Sequence, residues 1–360
     1  MKKRGRRAPR DGVAARGQST IDVGPVRSGA ESAGGGARFG VIAGGQSRNS
    51  LKVLWSHRPR PGRMAGPGTP EGGLLERCHR NYWETLWQYV RWIPGAARRD
   101  LPTATWIRCD LPSSLSNVAF FTSLGSASQE TFREARAFFG PKVPWRVVAT
   151  GPRAVEVGTV ATGLGLRPAP NEPGMILDPV HSGPPPPDSL TIRLVTDRGS
   201  LADFGVAWSE AFRFPRWVLP VILPDPRAED RERGAQNRFF VGYSSGRPVA
   251  CSTVTVTERV AGIASVGTVR SFRGRGFGTA MTWAAVDAGR TLDADVSYLA
   301  ATPMGYPVYE RMGFRRAAEY PSWQAPLGFF RSLGALWTVR RMVRDRRRSH
   351  PNAFPGGRGQ

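Results

Sequence analysis

The sequence has little sulfur and little imidazole: three cysteines, Cys78, Cys109 and Cys251, and four histidines, His57, His79, His181 and His350, in 360 residues. The cysteines are odd in number and show no CxxC spacing, so neither a disulfide framework nor a zinc site is expected. The histidines stand far apart and outside the glycine-rich stretch described below, which argues against a metal centre or a Ser/His/Asp triad. No run of about 18 apolar residues occurs, so no membrane span is expected. The start, MKKRGRRAPR, is basic like the first segment of a signal peptide, but the following DGVAARGQSTIDVGPVRSG lacks the apolar stretch of roughly 7–15 residues that a signal requires. These absences together point to a protein of the reducing cytoplasm.

Acidic residues are also scarce, 28 against 51 Lys and Arg, for a formal charge of +23. The excess is uneven: +10 falls in residues 1–75 and +7 in 331–360, leaving +6 for the long middle. The body is therefore an ordinary, mildly basic globular region, 40% apolar over the whole chain, with charged ends. Nucleic-acid or anionic-membrane contact through those ends is one class of function the charge leaves open.

Residues 1–73 are rich in Gly, Ala, Arg, Ser and Pro without periodicity and are expected to be disordered, Met64 offering an alternative start. Helical spacing begins in LLERCHRNYWETLWQYVRWI, 74–93, and recurs in SQETFREARAFFG, 128–140. PWRVVAT, 144–150, and GMILDP, 174–179, read as strands. The four prolines in HSGPPPPDS, 181–189, favour an extended connector, which divides a first domain, 74–180, from a second, 190–328. The last segment, 329–360, is a basic tail in which Phe330, Leu333, Leu336, Trp337 and Val343 alternate with arginines. The second domain reads as a strand at 190–195, a helix near 200–213, strands at 239–243, 248–257 and 261–269, a helix at 278–292, a strand at 295–301, a helix at 306–312 and a strand from Phe314. Mixed strands and helices in this order predict an α/β domain with a mixed central sheet flanked by helices.

The most informative stretch is RSFRGRGFGTAM, 270–281. It joins a strand to a helix whose Ala280, Ala284 and Ala288 share one face, and it leaves the helix's first backbone N–H groups unpaired at the turn. Those N–H groups, the positive end of the helix dipole and the missing Cβ atoms of Gly274, Gly276 and Gly278 suit a phosphate or diphosphate. A Rossmann GxGxxG fails, because the sixth position is Thr279 counting from Gly274 and Met281 counting from Gly276. A P-loop fails for want of a lysine. The preceding strand is built of small residues, Gly262, Ala264, Ser265 and Gly267, which permits close approach of a chain or ligand to its backbone. Downstream, ATPMGYPVYERMGF, 301–314, places Pro307 in the first turn of a short helix and Gly313 at its end.

Across 190–325 this pattern resembles the GNAT family of acyl-CoA-dependent N-acyltransferases. The resemblance rests on Arg273-x-x-Gly276-x-Gly278, the strand Val266–Val269 before it, and Tyr309-Glu310-Arg311-Met312-Gly313-Phe314, like the family's Y-x-x-x-G-F. It implies a GNAT fold with a V-shaped splay between the parallel strands 261–269 and 295–301, into which the pantetheine arm of acetyl-CoA inserts. Val266, Gly267 and Thr268 would present backbone to that arm. Arg273, Gly274, Arg275, Gly276, Phe277, Gly278 and Thr279 would form the diphosphate loop. Tyr309 would be the general acid toward the departing thiolate, and a strand N–H near Val266 would stabilise the oxyanion. Many relatives carry a glutamate on the strand before the loop; here it is absent, and Glu258 and Glu210 become the candidate bases. No metal is implied. The first half, with its LGLRPAP echoing the MGFRRAA of the second, is similar to a degenerate GNAT unit without an RxxGxG loop, which makes the chain a tandem protein. The expected activity is acetyl transfer from acetyl-CoA to a primary amine of a small molecule or protein in a ternary complex, with a catalytically silent acyl-CoA sensor as the alternative.

Overall fold

The computed structural model describes residues 70–122, 128–141, 143–151, 154–223, 236–324, 338–346 and 348. The expectation of disorder for 1–73 falls almost wholly outside them. Helix α1 (Pro70–Val90) opens the described chain and is followed by strands β1 (Ala97–Leu101), β2 (Ala104–Arg108) and β3 (Val118–Phe121). Then come α2 (Ser128–Phe139), β4 (Arg146–Ala149), α3 (Ala154–Gly163) and β5 (Arg167–Leu177). The second half runs β6 (Thr191–Leu194), α4 (Arg198–Phe212), a short α5 (Leu219–Ile222), β7 (Gln236–Ser244), β8 (Arg247–Thr257) and β9 (Val260–Thr268). It closes with α6 (Phe277–Thr291), β10 (Val296–Ala300), α7 (Tyr306–Arg311) and β11 (Arg315–Gln324). The second-half elements lie within a few residues of their sequence-based positions. In the first half, β1, β2 and β3 had no counterpart in the sequence reading.

All eleven strands form one sheet, in the order β1-β2-β3-β4-β11-β5-β10-β9-β8-β7-β6. Each half repeats the same motif: an antiparallel hairpin, a third antiparallel strand, a helix, and a parallel fourth strand, β3 with β4 and β9 with β10. The last strand of each half then crosses over. β5 pairs antiparallel with β10 of the second half, and β11 pairs antiparallel with β4 of the first. β5 and β11 pair with each other at the centre, from Arg315 opposite Ile176 to Gln324 opposite Arg167. The repeat extends to the residues entering these strands: Gly165 (φ 81°) precedes buried Leu166, and Gly313 (φ 93°) precedes buried Phe314. The connector at 181–189 thus joins two halves of a single sheet rather than two sheets. It runs along α6, with Gly183 against the Trp283 indole, the His181 ring 5.2 Å from the same ring, and Pro187 beside Gly276.

Helix α1 lies on one face of the central strands. It contributes Cys78, Trp83 and Val90 to a core shared with Ile107, Phe120, Ile176, Val260, Tyr298 and Tyr320, drawn from both halves. The Asn81 amide donates to the carbonyls of Thr255 and Val260 and to the Thr257 hydroxyl, tying α1 across the β8–β9 hairpin. Within the basic tail, 338–346 are helical; Val339, Met342 and Val343 are buried in the same core and Arg346 donates to the Trp92 carbonyl at 2.8 Å. The apolar side of this segment faces protein. Phe330, Leu333, Leu336 and Trp337 lie outside the described residues. Among the described residues no helix is long and apolar enough to cross a membrane.

Candidate active site

The parallel strands β9 and β10 pair only at Val260–Val296, Ala261–Ser297 and Gly262–Tyr298, after which they separate. The cause is visible in the β8–β9 register. Cys251 faces Gly267 and Thr253 faces Ala264, so Ser252 stands opposite two residues, Ser265 and Val266. This is a β-bulge, and Ser265 occupies it with φ 51°, a left-handed conformation rare outside glycine. A bulge bends its strand, and here the bend carries Ile263–Thr268 away from β10. The backbone of Val266, Gly267 and Thr268 thereby lines the open side of a V.

The V opens toward the glycine-rich loop. Gly274 and Gly276 have φ of 78° and 77°, and Gly276 caps α6 without any side-chain hydrogen bond. The first helical bond runs from Ala280 N–H to the Gly276 carbonyl at 3.0 Å, so the N–H groups of Phe277, Gly278 and Thr279 precede it and point out of the helix end. The chain makes this turn with glycine because a Cβ in the left-handed region clashes with the next carbonyl. Gly278 is different: it is helical, and a Cβ there would meet only Thr268 Oγ1, at an ordinary 3.6 Å.

The two loop arginines divide. Arg273 donates to the carbonyls of Thr268 (3.0 Å) and Ala211 (3.2 Å) and approaches Met304 Sδ, bracing the end of β9 against the end of α4. Arg275 is exposed, its guanidinium 5.1 Å from the Phe272 ring centre. The small residues of β9 also find an explanation, and it is packing. A Cβ on Gly262 would strike Asn81 and Thr85 of α1; one on Gly267 would strike Phe212 and Ala211 of α4. Helices, not a ligand, need those two glycines.

Tyr309 lies on α7, its ring packed over Gly305 and 5.9 Å from Phe314. Burial pushes its phenol up to about 12. With its pKa raised, the phenol stays protonated near neutral pH, and no described residue hydrogen-bonds its hydroxyl. Of the two candidate bases, Glu258 is placed far from the loop. It sits in the β8–β9 turn, before the first residue of β9, and eight residue steps of strand put the far end about 26 Å away. Arg80 holds it through a forked pair at 2.8–3.0 Å and lowers its pKa. Glu258 is thus a turn-bracing carboxylate, a role to which its exposed position in the sequence gave no pointer. Glu210, on α4 beside Ala211, lies at the loop end but is paired with both Arg216 and Arg247.

Side chains the sequence reading missed gather at the bulge. Tyr89 of α1 bonds Ser265 Oγ at 2.8 Å and also the Thr253 hydroxyl. The Tyr89 ring packs among Trp208 of α4 and Phe239 of β7. Nothing in the periodicity of α1 marks one tyrosine as reaching the other half's strand. The three thiols are buried and free; desolvation pushes Cys78 and Cys109 up to about 12 and Cys251 higher still. None is a nucleophile in this state. In the first half the corresponding strands β3 and β4 stay paired from Val118–Arg146 to Phe121–Ala149, and Thr150 N–H continues the ladder to the Phe121 carbonyl. That half has no V.

A splayed parallel pair, a strand bulge and a glycine-capped helix facing one another define an acyltransferase-type fold. In keeping with it, residues 206–314 match the acetyltransferase (GNAT) family model. The segment 206–314, which holds α6, β9, β10 and the loop between them, is thus a GNAT-type domain. Among solved structures, a GCN5-related N-acetyltransferase from Kribbella flavida is similar in fold, with TM-score 0.50 and 18% identity over 69% of this chain and 94% of that one. A GCN5-related N-acetyltransferase from Sphaerobacter thermophilus aligns with TM-score 0.45 and 16% identity, covering 63% of this chain and 81% of that one. A tandem GNAT protein from the clavulanic acid biosynthesis pathway aligns with TM-score 0.45 and 16% identity, covering 72% and 96%. No curated protein matches the chain.

Proposed function

We propose that the protein is an acetyl-CoA-dependent N-acetyltransferase with one donor site, in its second half, passing acetyl directly to a primary amine of a small molecule or protein. The observation that carries this reading is the bulge at Ser265, which opens β9 from β10 and turns the free strand edge toward the N-terminus of α6. The residues present fit the donor: an unpaired strand edge for an extended polyamide arm, then helix N–H groups bare of side-chain caps for a diphosphate. Acetyl-CoA supplies an activated thioester; the remaining chemistry falls to this chain. Phe277, Gly278 and Thr279 N–H groups hold phosphate charge, with the exposed Arg275 as the counter-charge. Arg273 fixes the loop's base through two carbonyls and acts as a brace. The Val266 N–H, set in the bulge, is the donor for negative charge developing on the acyl oxygen. The Tyr309 hydroxyl, kept protonated by burial, delivers a proton to the departing sulfur.

Direct attack is favoured over an acyl-enzyme because the three thiols are buried and held protonated. With Glu258 remote and Glu210 doubly paired, neither carboxylate is assigned as base; an acceptor amine that arrives neutral needs none. The catalytically silent sensor draws support from that same lack. Calorimetric titration of acetyl-CoA into the full chain, beside Gly276→Glu, tests the site: micromolar binding lost in the variant supports it, and equal binding by both refutes it. Release of free thiol on offering amines separates enzyme from sensor.

A further inference from the structure

The bulge in β9 is held in an unfavourable conformation, and the groups that hold it come from both sides. On the hairpin side, Thr253 Oγ1 donates to the Ala264 carbonyl at 3.2 Å and Cys251 Sγ approaches the Ser265 carbonyl at 3.3 Å. On the other side, Tyr89 reaches the Ser265 side chain and bonds Thr253 as well. A serine with φ 51° is strained relative to an extended strand and persists only where its surroundings over-determine it. Tyr89 belongs to α1, outside the 206–314 segment that matches the family. It is brought to the bulge because Asn81, two turns earlier, anchors α1 on Thr255, Thr257 and Val260.

We propose that Tyr89 is a positioning residue of the acyl-transfer site: its hydroxyl tethers Ser265 in the left-handed region, and so fixes the bulge that aims the Val266 N–H into the V. The inference rests on the acetyltransferase reading above. It assigns the helix preceding both half-sheets a part in the second half's chemistry. Tyr89 acts through Ser265 and does not itself touch the reacting atoms. Loss of its oxygen should therefore leave donor binding intact and lower turnover, because the phosphate-binding helix end is formed independently of it.

Tyr89→Phe keeps the ring between Trp208 and Phe239 and removes only the tether. The full chain and the variant are compared by amide hydrogen exchange over 264–268, by calorimetry with acetyl-CoA, and by thiol release from acetyl-CoA with spermidine or water as acceptor. Exchange should accelerate at least tenfold in that segment and thiol release fall at least tenfold, with the acetyl-CoA dissociation constant changed less than threefold. Adding Ser265→Gly to Tyr89→Phe should restore most of the rate, since glycine adopts this backbone without a tether. A hydroxyl relay of protons would not be rescued that way, because the second change removes another hydroxyl. Ser265→Ala, which deletes the tether from its other end, should reproduce the exchange and rate effects and serves if Tyr89→Phe does not fold. Unchanged exchange over 264–268, or a rate loss that glycine at 265 does not repair, overturns the inference. Failure of the unaltered chain to bind acetyl-CoA overturns the acetyltransferase reading and this inference with it; binding with unaltered exchange in the variants overturns the inference alone.

Discussion

Gly276 and Gly278 stand two residues apart, yet the structure gives them different reasons to be glycine, and a pair of alanine substitutions separates those reasons. At Gly276 the backbone has φ 77°, and a Cβ would meet only Pro187 Cγ, at 3.5 Å. The obstacle is conformational, so Gly276→Ala should destabilise the folded chain by about 1–2 kcal/mol, the usual excess for an L-residue in the left-handed region. At Gly278 the backbone is helical and a Cβ would stand 3.6 Å from Thr268 Oγ1, so the fold does not require glycine there. By helix propensity Gly278→Ala should be neutral or stabilising by up to about 1 kcal/mol. That methyl points toward Thr268 and leaves open the N–H groups assigned to the diphosphate. Acetyl-CoA affinity should therefore stay within about threefold of the parent in Gly278→Ala and fall at least tenfold, or about 1.4 kcal/mol, in Gly276→Ala, whose left-handed cap sets the direction of those N–H groups. Urea unfolding and calorimetric titration of the same preparations give both quantities. If Gly276→Ala binds acetyl-CoA as tightly as the parent, the diphosphate does not lie on this helix end and the reasoning fails.

Three further outcomes follow from particular contacts. Tyr309→Phe should lower kcat by about 10²–10⁴-fold, the usual contribution of a positioned acid, with acetyl-CoA affinity nearly kept. Because the phenol is raised to about 12, its protonated form persists below that pH, and a pH–rate profile should show no loss assignable to it up to about pH 11. His79 is buried against Tyr320 and Trp83, with Thr150 Oγ1 at 3.1 Å, and desolvation lowers its pKa from 6.5 to about 4. The unfolded chain therefore binds more protons between those values: the His79 contribution to stability is present above about pH 6.5 and is lost as pH falls toward 4, by up to about 3 kcal/mol. Urea titrations at pH 7 and pH 5 on the parent and His79→Gln check this, the variant showing the smaller pH dependence. Finally, a fragment of residues 190–328 should fail to fold cooperatively, since it leaves the β10 edge without β5 and removes α1 from above β9; a sharp thermal transition and dispersed amide spectrum for that fragment would contradict the shared sheet.

Features with a clear local period or a local backbone demand are legible in the residues themselves. The loop 273–278 is legible because left-handed turns select glycine residue by residue, and α6 is legible because Ala280, Ala284 and Ala288 repeat at the helical period. The short helix ending at Gly313 and the strand after it are legible for the same reason, and so is the echo of that junction at Gly165 in the first half. β1, β2 and β3 escaped because ARRDL, ATWIR and VAFF are four or five residues long with no alternation of burial to mark them: Trp106 and Ile107, adjacent in sequence, are both buried, because the strand is covered on both faces. The exchange of β5 and β11 between the halves was decided only by tertiary structure, since neither strand records in its own residues which edge it will join. So were the partners of single side chains. Glu258 looked available from its neighbours in sequence and is held by Arg80, 178 residues earlier. Gly262 looked like a ligand's approach and is Asn81's. Tyr89 looked like one more apolar position on α1 and meets Ser265, 176 residues on. Backbone conformation and period are set by each residue and its near neighbours, whereas hydrogen-bond partners, ion pairs and shared edges are set by which distant segments the hydrophobic core brings within a few ångströms.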